Sequence, residues 1–113
     1  MMAETVYIIN AIKAVPYGRV ASYRDIGLVA GLANGARQVA RVLHSLSRSQ
    51  QLPWHRIIRA NGHIALLEGN GRELQIALLR SEGVKVSARG VVDYGRYAWF
   101  GSSPDALSPF QAP

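Results

Sequence analysis

The residues able to do chemistry in this chain are few, and the type that is missing constrains it most. Cysteine is absent, which removes disulfides, thiolate metal sites and thiol nucleophiles together. Histidine occurs at His44, His55 and His63, without a recognisable metal-ligand spacing, so neither a metal nor another cofactor is expected. Arg37, Arg41, His44 and Arg48 recur at spacings of four, three and four, which aligns them along one side of a helix. Such a stripe is either a solvated face or a surface for a polyanion. Trp54 stands between Pro53 and His55-Arg56. Its indole nitrogen donates a hydrogen bond and has no useful nucleophilicity.

These residues need a scaffold, and 113 residues provide one domain with a single core. The hydrophobic fraction of 49% and charged fraction of 18% are those of a soluble globular protein. No apolar run approaches the roughly 18 residues of a membrane span. The N-terminus lacks a basic stretch followed by an apolar core, so a cytoplasmic, nucleoid-associated protein is expected. A formal net charge of +6 favours phosphate-rich partners through counterion release.

Along the chain, Val6, Ile9 and Ile12 follow a helical period, with Thr5 as the expected N-cap. Pro16-Tyr17-Gly18 marks a turn. Ser22 can cap a helix running through Tyr23, Ile26 and Val29 to Gly31. A second helix begins near Asn34 or Gly35, with Ala36, Val39, Ala40, Leu43 and Leu46 as its apolar face. Two helices around a turn of about four residues, the second with a basic outer stripe, match a helix-turn-helix. Ile57-Ile58 reads as a strand, and Asn61-Gly62 predicts a return through His63–Leu66. A last helix carries Leu74, Ala77 and Leu78 and stops at Gly83. The expected fold is mainly α: a winged helix-turn-helix-like single domain, residues 1–100, with a short β-hairpin. The Ser-, Pro- and Ala-rich end, 101–113, is expected to be a disordered tail.

Assembled in order, these fragments resemble the DNA-binding domain of the O6-alkylguanine-DNA alkyltransferases. The resemblance runs from about Val6 to Val86. It rests on Val15-Pro16-Tyr17-Gly18-Arg19-Val20, Ser22-Tyr23, Ala36-Arg37, Pro53-x-His55-Arg56-Ile57-Ile58, Gly62, and Leu78-Leu79 ahead of Glu82-Gly83. In those enzymes the residue between Pro and His-Arg is the alkyl-accepting cysteine. Tryptophan at that place, Trp54 here, marks the alkyltransferase-like proteins, and Arg89-Gly90 with Arg96-Tyr97-Ala98-Trp99 fits the same group.

The resemblance implies recognition without chemistry, because dealkylation needs an activated thiolate. Trp54 would line a pocket for a flipped guanine and favour its alkyl group; its alternative is a core tryptophan after a turn proline. Arg37 matches the arginine that enters the stack as the base leaves, or else is a phosphate contact. Tyr23 matches the tyrosine beside the flipped nucleotide's phosphate, or else packs on the core. Leu67 and Glu68 fall in the loop that covers the base, where Glu68 either accepts from a guanine N–H or faces water. Ser22, Gly35, Ala36, Gln38, Ala40, Arg41 and Arg48 fall on the DNA-binding part, the small residues allowing close approach to a minor groove. His55, Arg56 and Glu82 would be a structural network holding the pocket loop.

The implied partners are double-stranded DNA containing O6-alkylguanine and the nucleotide excision repair machinery, UvrA in a bacterium, with the protein a monomer that binds no membrane. Two other functions compete: a winged-helix regulator that does not flip bases, and a transferase with a non-cysteine nucleophile.

Overall fold

Residues Ala3–Lys13 form helix α1, which buries Ile8, Ile9, Ala11 and Ile12. Its computed structural model, like that of the rest of the chain, describes residues 1–99; the expected disorder of 101–113 lies outside the described residues. Thr5 is not the cap. The N-cap is Met2, without a side-chain hydrogen bond, and Thr5 lies inside the first turn. Val6, expected on the core face, is 38% exposed, because the buried stripe runs through Ile8 and Ile12 instead.

The helical pair forms as the sequence predicts. Strand β1, Ala21–Ser22, leads into α2, Tyr23–Val29, and α3 follows at Ala36–Leu46. The Ser22 hydroxyl accepts from the Asp25 amide and caps α2. At the other end Gly31, at φ +87°, turns the chain. The Leu32 and Gly31 amides donate to the carbonyls of Gly27 and Leu28, the paired bonds of a Schellman motif. The two helices then approach closely, since a Cβ on Gly27 would lie 3.1 Å from the Gly35 Cα. On α3 the buried residues are Val39 and Val42, with Leu43 and Leu46 packed beside them. Ala36 and Ala40, expected on that apolar face, are exposed.

Strand β2, Ile57–Ile58, follows a 3-10 turn at Trp54–Arg56. It pairs in parallel with β1, Ala21 opposite Ile57 and Ser22 opposite Ile58. This corrects the expected hairpin. The Asn61-Gly62 turn does close, the Gly62 amide donating to Arg59 O at 2.9 Å and the Arg59 amide to His63 O at 3.0 Å. Beyond it the chain leaves, and His63 bridges to Val91, because both β2 and the segment after Gly62 find partners elsewhere in the fold. The two-residue strands separate two cores. Ala21 and Ile57 join a cluster with Ile12, Ile26 and Val39. Val20 and Ile58 join another with Leu79, Val92 and Tyr97, as alternation along a strand dictates.

Helix α4, Arg72–Ser81, buries Gln75 and Leu79, whereas Leu74, one of the apolar residues that marked the helix, is 55% exposed. A short helix, α5 at Tyr94–Tyr97, closes the described chain, capped by Asp93. The domain is mainly helical, with one two-stranded sheet among the described residues, and no helix among them is long and apolar enough to cross a membrane.

Candidate functional site

The turn that carries Trp54 is held by a single carboxylate. Glu82 sits at the C-terminal cap of α4, with a side chain only 6% exposed. Its Oε2 accepts from His55 Nε2 at 2.6 Å and from Arg56 Nη2 at 2.9 Å. Its Oε1 accepts from Arg56 Nε at 3.0 Å and from the Gly18 amide at 2.8 Å. Since a carboxylate only accepts, His55 must carry its proton on Nε2. Burial alone would raise the Glu82 pKa, but the hydrogen bonds from Arg56, Gly18 and His55 outweigh it and lower it to about 2. Arg56 also donates through Nη1 to Val15 O at 2.9 Å and lies over the Tyr17 ring at 5.8 Å. One acid thus ties the turn to α4 and to the loop after α1. His55, Arg56 and Glu82 come together as expected.

Trp54 is half-buried and meets the His55 ring edge-on at 6.1 Å. It stands on the wall of an open cleft of about 840 Å³, shared with Tyr23, Ala40, Arg48, Leu66 and Gln75. Tyr23, expected beside the flipped nucleotide's phosphate, and Trp54, expected in the base pocket, both line this cleft. Leu67 and Glu68 do not. Leu67 is 70% exposed, Glu68 is exposed too, and the neighbouring Leu66 supplies the apolar wall.

The DNA-binding candidates divide by exposure. Ala36, Arg37, Ala40, Arg41 and Arg48 are exposed, and the guanidinium groups of Arg37, Arg41 and Arg48 meet no acceptor among the described residues. Ser22, Gly35 and Gln38 serve the interior instead. Ser22 is buried, its hydroxyl on the Asp25 amide and its own amide on the Tyr94 hydroxyl. Gly35 is buried because a Cβ there would fall 2.7 Å from that of Leu32. Gln38 donates to Glu4 at 3.1 Å, tying α3 to α1.

Two residues at or behind the site were missed by the sequence reading. Gln75 is 2% exposed and donates through Nε2 to the His55 and Ile57 carbonyls, each at 3.1 Å. Its Oε1 is buried without a partner among the described residues. The spacing of Gln75 to Leu79, one helical turn, was the available clue. Tyr94 donates to Asp25 at 2.6 Å and accepts from the Ser22 amide at 2.8 Å. Burial, reinforced by that donation to Asp25, raises its pKa, so it remains a neutral bridge under the start of α2.

A helical pair with an open basic face thus stands beside a cleft braced by a His-Arg-Glu network. The family model of the 6-O-methylguanine DNA methyltransferase DNA-binding domain matches residues 4–84, and the chain belongs to that family, as an alkyltransferase-like member with Trp54 in place of the acceptor cysteine. It is 41% identical over 88 residues to a DNA base-flipping protein of Escherichia coli K12, covering 78% of this chain and 67% of that one. It is 31% identical over 88 residues to Alkyltransferase-like protein 1 of Schizosaccharomyces pombe, covering 77% and 82%. Among solved structures, S. pombe Atl1 in complex with damaged DNA containing O6-carboxymethylguanine superimposes with a TM-score of 0.78 at 28% identity. That match covers 89% of this chain and 98% of that one.

Proposed function

We propose that the protein is a non-enzymatic sensor of O6-alkylguanine in double-stranded DNA. The observation that carries this reading is Trp54 on the cleft wall, in the acceptor's place, with the His55–Glu82 pair intact behind it. An indole has no useful nucleophilicity for displacement at carbon. It can stack on a flat base and cover the added carbon, each buried methylene contributing about 0.8 kcal/mol. Helix α3 would enter the minor groove, Ala36 and Ala40 allowing the approach, Arg41 and Arg48 meeting phosphates. Arg37 would fill the gap in the stack while the damaged base enters the cleft between Tyr23 and Trp54. The bound complex, formed by a monomer in the cytoplasm, would be the mark that recruits nucleotide excision repair, through UvrA in a bacterium. The E. coli and S. pombe relatives support the coarse reading by their names, base flipping in one and alkyltransferase likeness in the other.

The test is a titration at fixed salt with a duplex bearing one O6-alkylguanine and with its matched undamaged duplex. Tighter binding to the lesion is expected, and equal affinities would sink the proposal. Trp54→Ala should lower the preference for bulky over methyl adducts. Mass spectrometry after incubation with the lesion duplex should show an unmodified protein; a stable mass gain would make it a transferase.

A further inference from the structure

We propose that Arg59 acts with Tyr23 to hold one DNA backbone phosphate, that of the nucleotide turned out into the cleft. The inference rests on the base-flipping reading above and adds a residue to it.

The parallel register provides the geometry. Ala21 faces Ile57 and Ser22 faces Ile58, so the next residues off the sheet are Tyr23 and Arg59, following adjacent strands about 4.8 Å apart. Tyr23 lines the cleft and Arg59, at the matching position one strand over, does not. Its backbone is held on both sides. The Arg59 amide donates to His63 O at 3.0 Å and its carbonyl accepts from Gly62 at 2.9 Å. Gly62 is itself fixed, since its carbonyl accepts from the Val92 amide at 2.8 Å and a Cβ on it would come within 2.2 Å of Val92 O.

The Arg59 side chain is exposed, and its guanidinium meets no acceptor among the described residues. Other arginines are committed: Arg19, Arg72 and Arg80 donate to the carbonyls of Arg96, Arg89 and Val86. Asp25, the acid on α2, is engaged by the Tyr94 hydroxyl. Burial raises the Tyr23 pKa, and the charge of Arg59 is the influence that opposes it. The phenol is therefore a neutral donor with a cation within electrostatic reach. A donor and an unpaired guanidinium at matching positions off one sheet suit a phosphate, which accepts from both.

The experiment follows duplex binding by fluorescence anisotropy across a series of KCl concentrations. The duplexes carry one O6-methylguanine or none; the proteins are wild type, Arg59→Gln, Arg59→Lys, Tyr23→Phe and the Arg59→Gln/Tyr23→Phe double variant. Arg59→Gln should weaken lesion binding about tenfold and reduce the slope of log K against log[KCl] by about 0.9. Arg59→Lys should retain the slope. The double variant should lose less than the sum of the single losses, because both groups serve one phosphate. Unchanged affinity and slope in Arg59→Gln overturns the proposal, and so do additive losses. The wild type's preference for the lesion reads the base-flipping function separately. Without that preference both ideas fall; with it, an unaffected Arg59→Gln removes only the phosphate contact.

Discussion

The cationic side chains of this domain behave in opposite ways in two regions. On the outer face of α3, Arg37, Arg41 and Arg48 are exposed and meet no acceptor among the described residues. Around Glu82, by contrast, Arg56 donates to both carboxylate oxygens and to Val15 O, and His55 fills the remaining side. One region presents unmatched charge, and the other consumes it. A chain that has replaced its acceptor thiol with Trp54 nevertheless keeps the carboxylate network behind it. In this fold the network ties the turn that presents residue 54 to α4 and to the loop after α1.

Breaking the inner region should have the largest effect. Glu82→Gln leaves the half-buried Arg56 without its counter-charge, and removing one partner of a largely buried pair costs about 3 kcal/mol. Urea denaturation should show that loss, and a difference below about 0.5 kcal/mol would mean that the network is not structural. The pH dependence has a fixed sign. Glu82 has its pKa lowered from 4.5 to about 2 in the folded protein, so its contribution is complete above pH 4.5 and is lost as pH falls towards 2. The Glu82→Gln variant should have a flatter acid limb over that window.

The outer region should respond the other way. Arg37→Ala removes a side chain without an internal partner, so the melting temperature should stay within a degree or two of wild type. Affinity for the lesion duplex should fall about thirtyfold, or roughly 2 kcal/mol, if the guanidinium fills the stack. Binding to undamaged duplex should fall less. Equal losses on the two duplexes would return Arg37 to the role of a phosphate contact.

The same contrast explains what could be read from the sequence. The helix-turn-helix was legible because its signals are local: Ser22 caps, Gly31 stops, and the basic residues recur at helical spacing. Trp54 and its network were legible through the Pro-x-His-Arg frame and Glu82-Gly83. The sheet was not, since a parallel pair of two-residue strands is set by distant contacts, and Asn61-Gly62 pointed to a local hairpin. The buried face of α4 was not legible, because a polar residue occupies it. Gln75 belongs there to satisfy the His55 and Ile57 carbonyls, while Leu74 faces the cleft. Ser22, Gly35 and Gln38 were placed at the DNA by their position in the motif, although each is occupied internally.

Tyr94 braces a third place, the start of α2. Its hydroxyl bridges Ser22 and Asp25, beneath the helix whose first residue, Tyr23, lines the cleft. Tyr94→Phe leaves the Ser22 amide and an Asp25 oxygen without that partner. A loss of roughly 1–2 kcal/mol in urea denaturation is expected. Lesion affinity should weaken with it if α2 shifts, whereas an unchanged stability would show that water replaces the hydroxyl.

The smallest effect should come from a charge that reads nothing but phosphate. Arg41 lies one helical turn beyond Arg37 on α3 and is exposed. As a phosphate contact it would contribute equally to damaged and undamaged DNA. Arg41→Gln should therefore weaken both complexes by the same few-fold factor and lower the salt slope by about 0.9, leaving their ratio intact. A change in that ratio would place Arg41 with Arg37 among the groups that sense the lesion. The division between recognising damage and holding DNA would then run between α3 and the rest of the surface, rather than between neighbouring residues of one helix.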